Sequence, residues 1–109
     1  MNSSDNLLYN LLGICFKSGK LVSGTKTVEE AVRSGKAFLL IITCDIGETT
    51  LKTLSDKADY YSVPVIRFGQ KEELGHSIGK GQRSAAAITD RGFAKSFTDK
   101  YQTQHPGVK

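Results

Sequence analysis

The sequence predicts an α/β chain: a three-layer α/β/α sandwich with a mixed sheet of about four strands and about five helices. Two observations carry that expectation. Segments with apolar residues at helical spacing alternate with short apolar runs along the whole chain. Phe38-Leu39-Leu40-Ile41-Ile42 is apolar at every position, so both of its faces must be covered, as at the centre of a sheet with helices on each side.

The elements follow in order. Leu8, Leu11, Leu12 and Cys15 recur at i, i+3, i+4 and i+7, which predicts a helix over about 5–17, with Ser4 or Asp5 to cap it and Gly19 to stop it. Leu21-Val22 reads as a short strand leading to Gly24. A second helix carries Val28, Ala31 and Val32 on one face and ends at Gly35. Thr27 and Glu30 have capping-box spacing, as do Asp45 and Glu48 ahead of a third helix whose buried stripe is Leu51, Leu54, Ala58 and Tyr61. Val63 to Phe68 is the next strand, and Pro64, which has no N–H for a ladder, belongs at its start or on an edge. Lys71 to Ser77 forms a short helix burying Leu74 and Ile78, after which Gly75, Gly79 and Gly81 loosen the chain into a basic loop. Ser84 to Thr89 is a strand whose alanines allow close helix packing. Asp90 caps a last helix with Phe93, Phe97 and Tyr101 on one face, and residues 102–109 read as a flexible, frayed tail.

Length and composition fit this organisation. The chain has 109 residues, 39% hydrophobic and 24% charged, the range of a globular domain with a real core. One domain is expected over residues 1–101. The longest apolar run, Ala37 to Ile42, is strand-sized, so no membrane span is expected. Met1-Asn2-Ser3-Ser4-Asp5 does not have the charged lead of a secretory signal, and a cytoplasmic protein is the expectation. Cys15 and Cys44 have neither the spacing nor the companions of a zinc site and are read as reduced, mostly buried thiols. No metal or cofactor is expected.

Charge is unevenly spread. Residues 1–36 carry five bases and three acids, residues 37–69 three and four, and residues 70–109 seven and four, within a net +4. The ends are basic and the middle is not, which matters if the two ends meet in space.

Catalytic patterns fail one by one. Gly19-Lys20 and Gly79-Lys80 lack the P-loop spacing: Leu21 and Gly81 follow the lysines, and Gly13 and Gly75 each stand one residue off. His76 and His105 have no nucleophile at triad spacing and read as exposed side chains. Asp45, Glu48, Asp56 and Asp59 read as caps and solvated surface. No catalytic residues are assigned and no enzyme is expected.

Two segments remain. Gly19 to Val32 runs from a strand through Ser23-Gly24-Thr25 into a helix, and a helix's first turn offers unpartnered N–H groups and a partial positive charge to an anion. Lys20 and Lys26 flank it. Gly79 to Ser84 is a basic loop ahead of a strand, in which Lys80 and Arg83 could clamp phosphates and Gln82 could read a base edge. If the strands are directed so that these loops end on the same side of the sheet, the two converge.

The succession of Gly-Lys-Leu-Val-Ser-Gly-Thr-Lys, Ala-Val-Arg-Ser-Gly-Lys, the apolar strand, Val-Pro-Val, Glu-Glu-Leu-Gly-His-Ser-Ile-Gly-Lys and Ala-Ala-Ala-Ile closely resembles the kink-turn-binding ribosomal protein family. That family includes the archaeal ribosomal protein seven-Ae and the eukaryotic large-subunit ribosomal protein thirty, and the match, over about residues 5–97, is to its small bacterial members. The resemblance implies an α/β/α sandwich that binds kink-turn or kink-loop RNA, in a ribosomal or ribonucleoprotein setting; a monomer is the expectation. By position it implies RNA contacts at Gly24, Thr25, Lys26, Thr27 and Glu30 and at Lys80, Gly81, Gln82 and Arg83; Lys20 is added from the reading of the anion grip. Archaeal members carry Asn-Glu, which hydrogen-bond guanines of the kink-turn's tandem sheared G·A pairs, where this chain has Lys26-Thr27, and lysine where it has Glu30. Contact with phosphates is therefore better retained than reading of bases. A second reading on the same fold is a protein-interaction adaptor with weak or no RNA binding, supported by Glu29 and Glu30 beside the expected RNA surface.

Overall fold

A computed structural model describes the backbone of residues 3–105 and the side chains from residue 6 onward. Its elements are α1 (Ser3–Lys17), β1 (Leu21–Ser23), α2 (Thr25–Arg33), β2 (Leu39–Ile42), α3 (Glu48–Tyr60), β3 (Val65–Arg67), α4 (Lys71–Ser77), β4 (Ala85–Ile88) and α5 (Arg91–Gln104). The four strands form one mixed sheet in the order β1-β4-β2-β3. β4 is antiparallel to both neighbours, with Leu21 opposite Ile88 and Leu39 also opposite Ile88, while β2 and β3 are parallel.

The alternation of side chains along the central strands creates two cores. Leu39, Ile41, Ala86 and Ile88 face α1, α4 and α5, where Leu8, Leu12, Leu74 and Phe97 are buried. Leu40, Ile42, Ala85 and Ala87 face α2 and α3, where Val28, Val32, Leu54 and Ala58 are buried. All four residues of β2 and of β4 are buried, which explains why neither strand alternates in polarity. The three alanines of β4 let helices approach the sheet from both sides. No described helix is long and apolar enough to cross a membrane.

Glycine closes α1, α2 and α4 in the same way. Gly19, Gly35 and Gly79 have φ of 73°, 79° and 73°, and the next residue's N–H reaches back to the helix, as Lys20 does to the Cys15 carbonyl at 2.8 Å. This is the left-handed closure in which a side chain on Cβ would be strained. Asp90 caps α5 as expected, accepting the Phe93 N–H at 2.9 Å. Pro64 stands just before β3, which is an edge strand, and its carbonyl accepts the Leu40 N–H at 2.9 Å.

Several expectations are corrected. α1 starts at Ser3, so Ser4 and Asp5 lie inside it rather than capping it, and their side chains fall outside those described. Neither capping box forms. Gly24 and Gly47 occupy the N-cap positions of α2 and α3, and Thr27 is already in the helix. The Asp45 carboxylate is instead recruited by α4, accepting the Lys71 N–H at 3.0 and 3.2 Å. Tyr61 follows the end of α3 and is exposed rather than part of the buried stripe. α5 continues through Gln104, so residues 102–104 are helical; His105 follows, half-buried, its ring stacked on Tyr101 at 4.4 Å between centroids. Residues 106–109 of the expected tail lie outside the described residues.

The cysteines differ. Cys15, on the inner face of α1, is buried, and Cys44, in the loop after β2, is exposed. Burial, with the nearby Asp90 charge as a smaller cause, pushes the Cys15 thiol up to about 11. A thiol-specific reagent at neutral pH is therefore expected to label Cys44 in the folded protein and to reach Cys15 only on unfolding. Mass spectrometry of the labelled protein counts the modified positions; equal labelling of both would show that α1 does not shield its face.

Candidate nucleic-acid interface

Strand direction decides which loops meet. β1, β2 and β3 run one way and β4 the other, so the loops leaving β1, β2 and β3 and the loop entering β4 share one edge of the sheet. Open α/β sheets use that edge, beyond the carboxyl ends of the strands, for ligands. Backbone bonds hold it together: Gly24 N–H to the Ala85 carbonyl at 3.1 Å, Thr43 to Ser84 at 2.9 Å and Cys44 to Gly69 at 2.8 Å. The Gly24–Thr27 segment and the Lys80–Arg83 loop are both on it. Arg83 joins them directly, its Nε donating to Ser23 Oγ at 3.3 Å.

On the first side, Gly24 has φ 95° and ψ 140°, and its carbonyl accepts the Val28 N–H at 2.9 Å to start α2. A residue with a side chain would adopt that φ only with strain. No side chain caps the helix and no acid lies in its first turn, so the peptide dipoles are left unopposed there. Thr25 is half-buried, and Lys26 and Thr27 are exposed.

The second side is held more firmly than a glycine-rich loop predicts. Gly75, read from sequence as a loosening residue, is buried inside α4, and a Cβ on it would land on the Gly81 carbonyl oxygen. The absence of a side chain lets residues 81 and 82 lie directly on the helix. Lys80 N–H donates to the Gly75 carbonyl at 2.8 Å and Arg83 N–H to the Lys71 carbonyl at 3.1 Å. The Arg83 Nη1 also donates to the Gln82 carbonyl at 3.0 Å. Gln82 remains exposed, and Lys80 leans toward α1, its Nζ 5.5 Å from the centre of the Phe16 ring.

Not every expected residue joins the edge. Lys20 precedes β1, and its carbonyl accepts the Thr89 N–H at 2.9 Å, which places its backbone at the opposite end of the strand from Gly24. Glu30 lies a turn further along α2, beside a groove it shares with Thr27, Ser34, Lys36 and Thr89. Glu29, one support for the adaptor reading, lies 3.9 Å from Lys57 Nζ on α3. Sequence reasoning missed Arg67 and Lys71. Arg67 ends β3, exposed, with Nη2 3.3 Å from the Thr43 carbonyl; Lys71 opens α4, tied through its backbone to Asp45 and Arg83. Their positions immediately after a strand and at a helix start are the signal that could have found them. Among the described residues no group of His, Cys, Asp and Glu could hold a metal ion.

Residues 7–98 match the Ribosomal protein L7Ae/L30e/S12e/Gadd45 family. The chain is 40% identical over 89 residues to RNA-binding protein YlxQ of Bacillus subtilis, covering 82% of this chain and 89% of that protein. It is 35% identical over 97 residues to large ribosomal subunit protein eL30 of Neurospora crassa, covering 84% and 85%. Among solved structures, a Bacillus halodurans protein described as having unknown function superposes with a TM-score of 0.82 at 33% identity, covering 85% of this chain and 94% of that one.

Proposed function

We propose that this chain, which belongs to the Ribosomal protein L7Ae/L30e/S12e/Gadd45 family, is a monomeric RNA-binding protein that recognises kink-turn or kink-loop RNA in a cytoplasmic ribonucleoprotein setting and acts by binding, not by catalysis. The observation that carries this is the junction of the α2 N-terminus with the Lys80–Arg83 loop through Arg83 and Ser23. The names of the relatives, an RNA-binding protein and a ribosomal subunit protein, support it.

The division of labour follows from chemistry. The N–H groups of Thr25, Lys26 and Thr27 and the Lys26 ammonium take backbone phosphates, Gly24 permits close approach, and Arg83 fixes the second loop while offering its remaining donors. Gln82 supplies the amide that reads a base edge; an exposed amide with both a donor and an acceptor suits an unstacked base. Arg67 and Lys71 widen the positive edge.

Calorimetric titration with a kink-turn duplex and with a control whose sheared G·A pairs are disrupted tests this reading. The kink-turn duplex is expected to bind at least about tenfold more tightly, a difference of about 1.4 kcal/mol. Equal affinity for the two would leave only electrostatic attachment and overturn the kink-turn assignment.

A further inference from the structure

Lys20, the residue that falls away from the first edge, has company where it lies. Its carbonyl bonds Thr89, Thr89 and Lys36 line one groove, and Arg91 follows two residues after Thr89. A second cavity, of about 500 Å³, begins beside Lys36, between Gly35 and Ala37, and carries Arg91 and Tyr61 on its walls. Arg91 is exposed and its guanidinium carbon stands 5.1 Å from the centre of the Phe38 ring, which holds that cation at the mouth of the cavity. Tyr61 meets Tyr60 edge to face with centroids 4.8 Å apart, and Tyr60 is 78% exposed. Of the acids here, Asp90 caps α5 and Asp99 is paired with Lys95 at 2.9 Å, while Glu30 shares the groove with Lys36 and Asp59 precedes the two tyrosines. Lys20, Lys36 and Arg91 form no ion pair with a described residue.

We propose that this opposite edge is a second RNA surface, one that takes a single-stranded segment: Lys20, Lys36 and Arg91 contact its phosphates, and the Tyr60–Tyr61 ledge stacks its bases. The inference extends the RNA-binding reading. Cations along a groove with exposed aromatic rings are the combination that holds unpaired nucleic acid, because every base has a face to stack and every nucleotide a phosphate. An acidic protein would use the cations but has no bases to lay on the tyrosines. With one surface at each edge of the sheet, the protein would hold a folded RNA motif and an unpaired strand at once.

The test uses the full chain, a minimal kink-turn duplex and a fluorescent oligouridylate. Wild-type protein saturated with the duplex is expected to bind the oligouridylate in a ternary complex, seen as a third band on a native gel. Exchanging Lys20, Lys36 and Arg91 for Gln together should lower the salt slope of oligouridylate binding by about 2, at roughly 0.7 for each single-strand phosphate given up. Affinity for the duplex should stay within about twofold, because these residues lie away from the edge assigned to it. Tyr60→Leu, which alters an exposed ring, should weaken the oligouridylate by about tenfold, the loss of one stacked base. The inference is overturned if the oligouridylate displaces the duplex mole for mole, if the triple exchange leaves the slope unchanged, or if polyglutamate binds equally well and responds equally to Tyr60→Leu. Failure of the duplex to bind, with oligouridylate binding still sensitive to the triple exchange, would instead remove the kink-turn reading and leave this surface standing.

Discussion

Replacing Lys26 and Arg83 by alanine together is expected to weaken RNA binding by about a hundredfold at moderate salt, if each of the two charge-assisted hydrogen bonds to phosphate is worth about 1.4 kcal/mol. The two residues stand on opposite sides of the interface. Lys26 is exposed in the first turn of α2, so removing it touches no packing. Arg83 is different, because it bonds both Ser23 and the loop's own carbonyls. The salt slope separates the causes. Each phosphate no longer neutralised takes roughly 0.7 to 0.9 off the log–log slope, so the slope of the double variant should fall by about 1.4 to 1.8. Arg83→Lys keeps the charge and gives up the planar fork that reaches Ser23 and the loop carbonyls together, so it should retain the slope while losing part of the affinity. A double variant that binds like wild type at every salt concentration would remove this edge from consideration.

Gly75→Ala is expected to damage stability and binding together. The new methyl group falls on the Gly81 carbonyl oxygen and also lies 3.2 Å from the Gln82 Cα, and both obstacles are backbone, so no rotamer change relieves the clash. Residues 80–83 must lift from α4, straining the Lys80 to Gly75 and Arg83 to Lys71 hydrogen bonds. Overpacking of this kind costs about 1–3 kcal/mol. In a domain this size each kcal/mol lowers the melting temperature by about 4–8 °C. RNA affinity should fall as well, because Arg83 moves with its loop. Gly81→Ala is the control for stability: a Cβ there meets nothing within 4 Å, so melting should change little. Should Gly75→Ala melt and bind like wild type, the loop is not seated on α4 as described.

Much of this was legible in the sequence, for reasons that also mark the limit. β2, β4 and the short helix α4 could be read because their signals are local: a fully apolar run, a run of alanines, and a short segment lying between Gly69 and Gly79. The two expected capping boxes failed for different reasons: at α2 the N-cap is Gly24 and Thr27 already lies inside the helix, whereas the Asp45 side chain answers to a partner remote in the chain. Asp45 is within helix-capping distance of α3 in sequence, yet the fold brings the N–H of Lys71 to it. Lys20 looked like one arm of the anion grip because only three residues separate it from Gly24. Those residues are a strand, and at about 3.3 Å per residue a strand carries its two ends to opposite edges of the sheet. Gly75 shows the same limit: loosening glycine and close-packed glycine are one letter, and the distinction lies in what the fold lays against it.

The pairing of β1 with β4 has a consequence for when the protein becomes competent. Leu21–Ser23 and Ala86–Ile88 lie near opposite ends of the chain, and their ladder, reinforced by the bond between Arg83 and Ser23, is what brings the two halves of the edge together. Contacts of such long sequence separation close late in folding, after the loop entropy between them has been overcome. A nascent chain that has emerged only as far as α4 therefore holds the α2 N-terminus without its counterpart. On the proposed interface, full engagement waits until β4 is made, and an RNA gripping both loops at once would hold the two ends of the chain in register and so act on the folding equilibrium as well as being bound by its product.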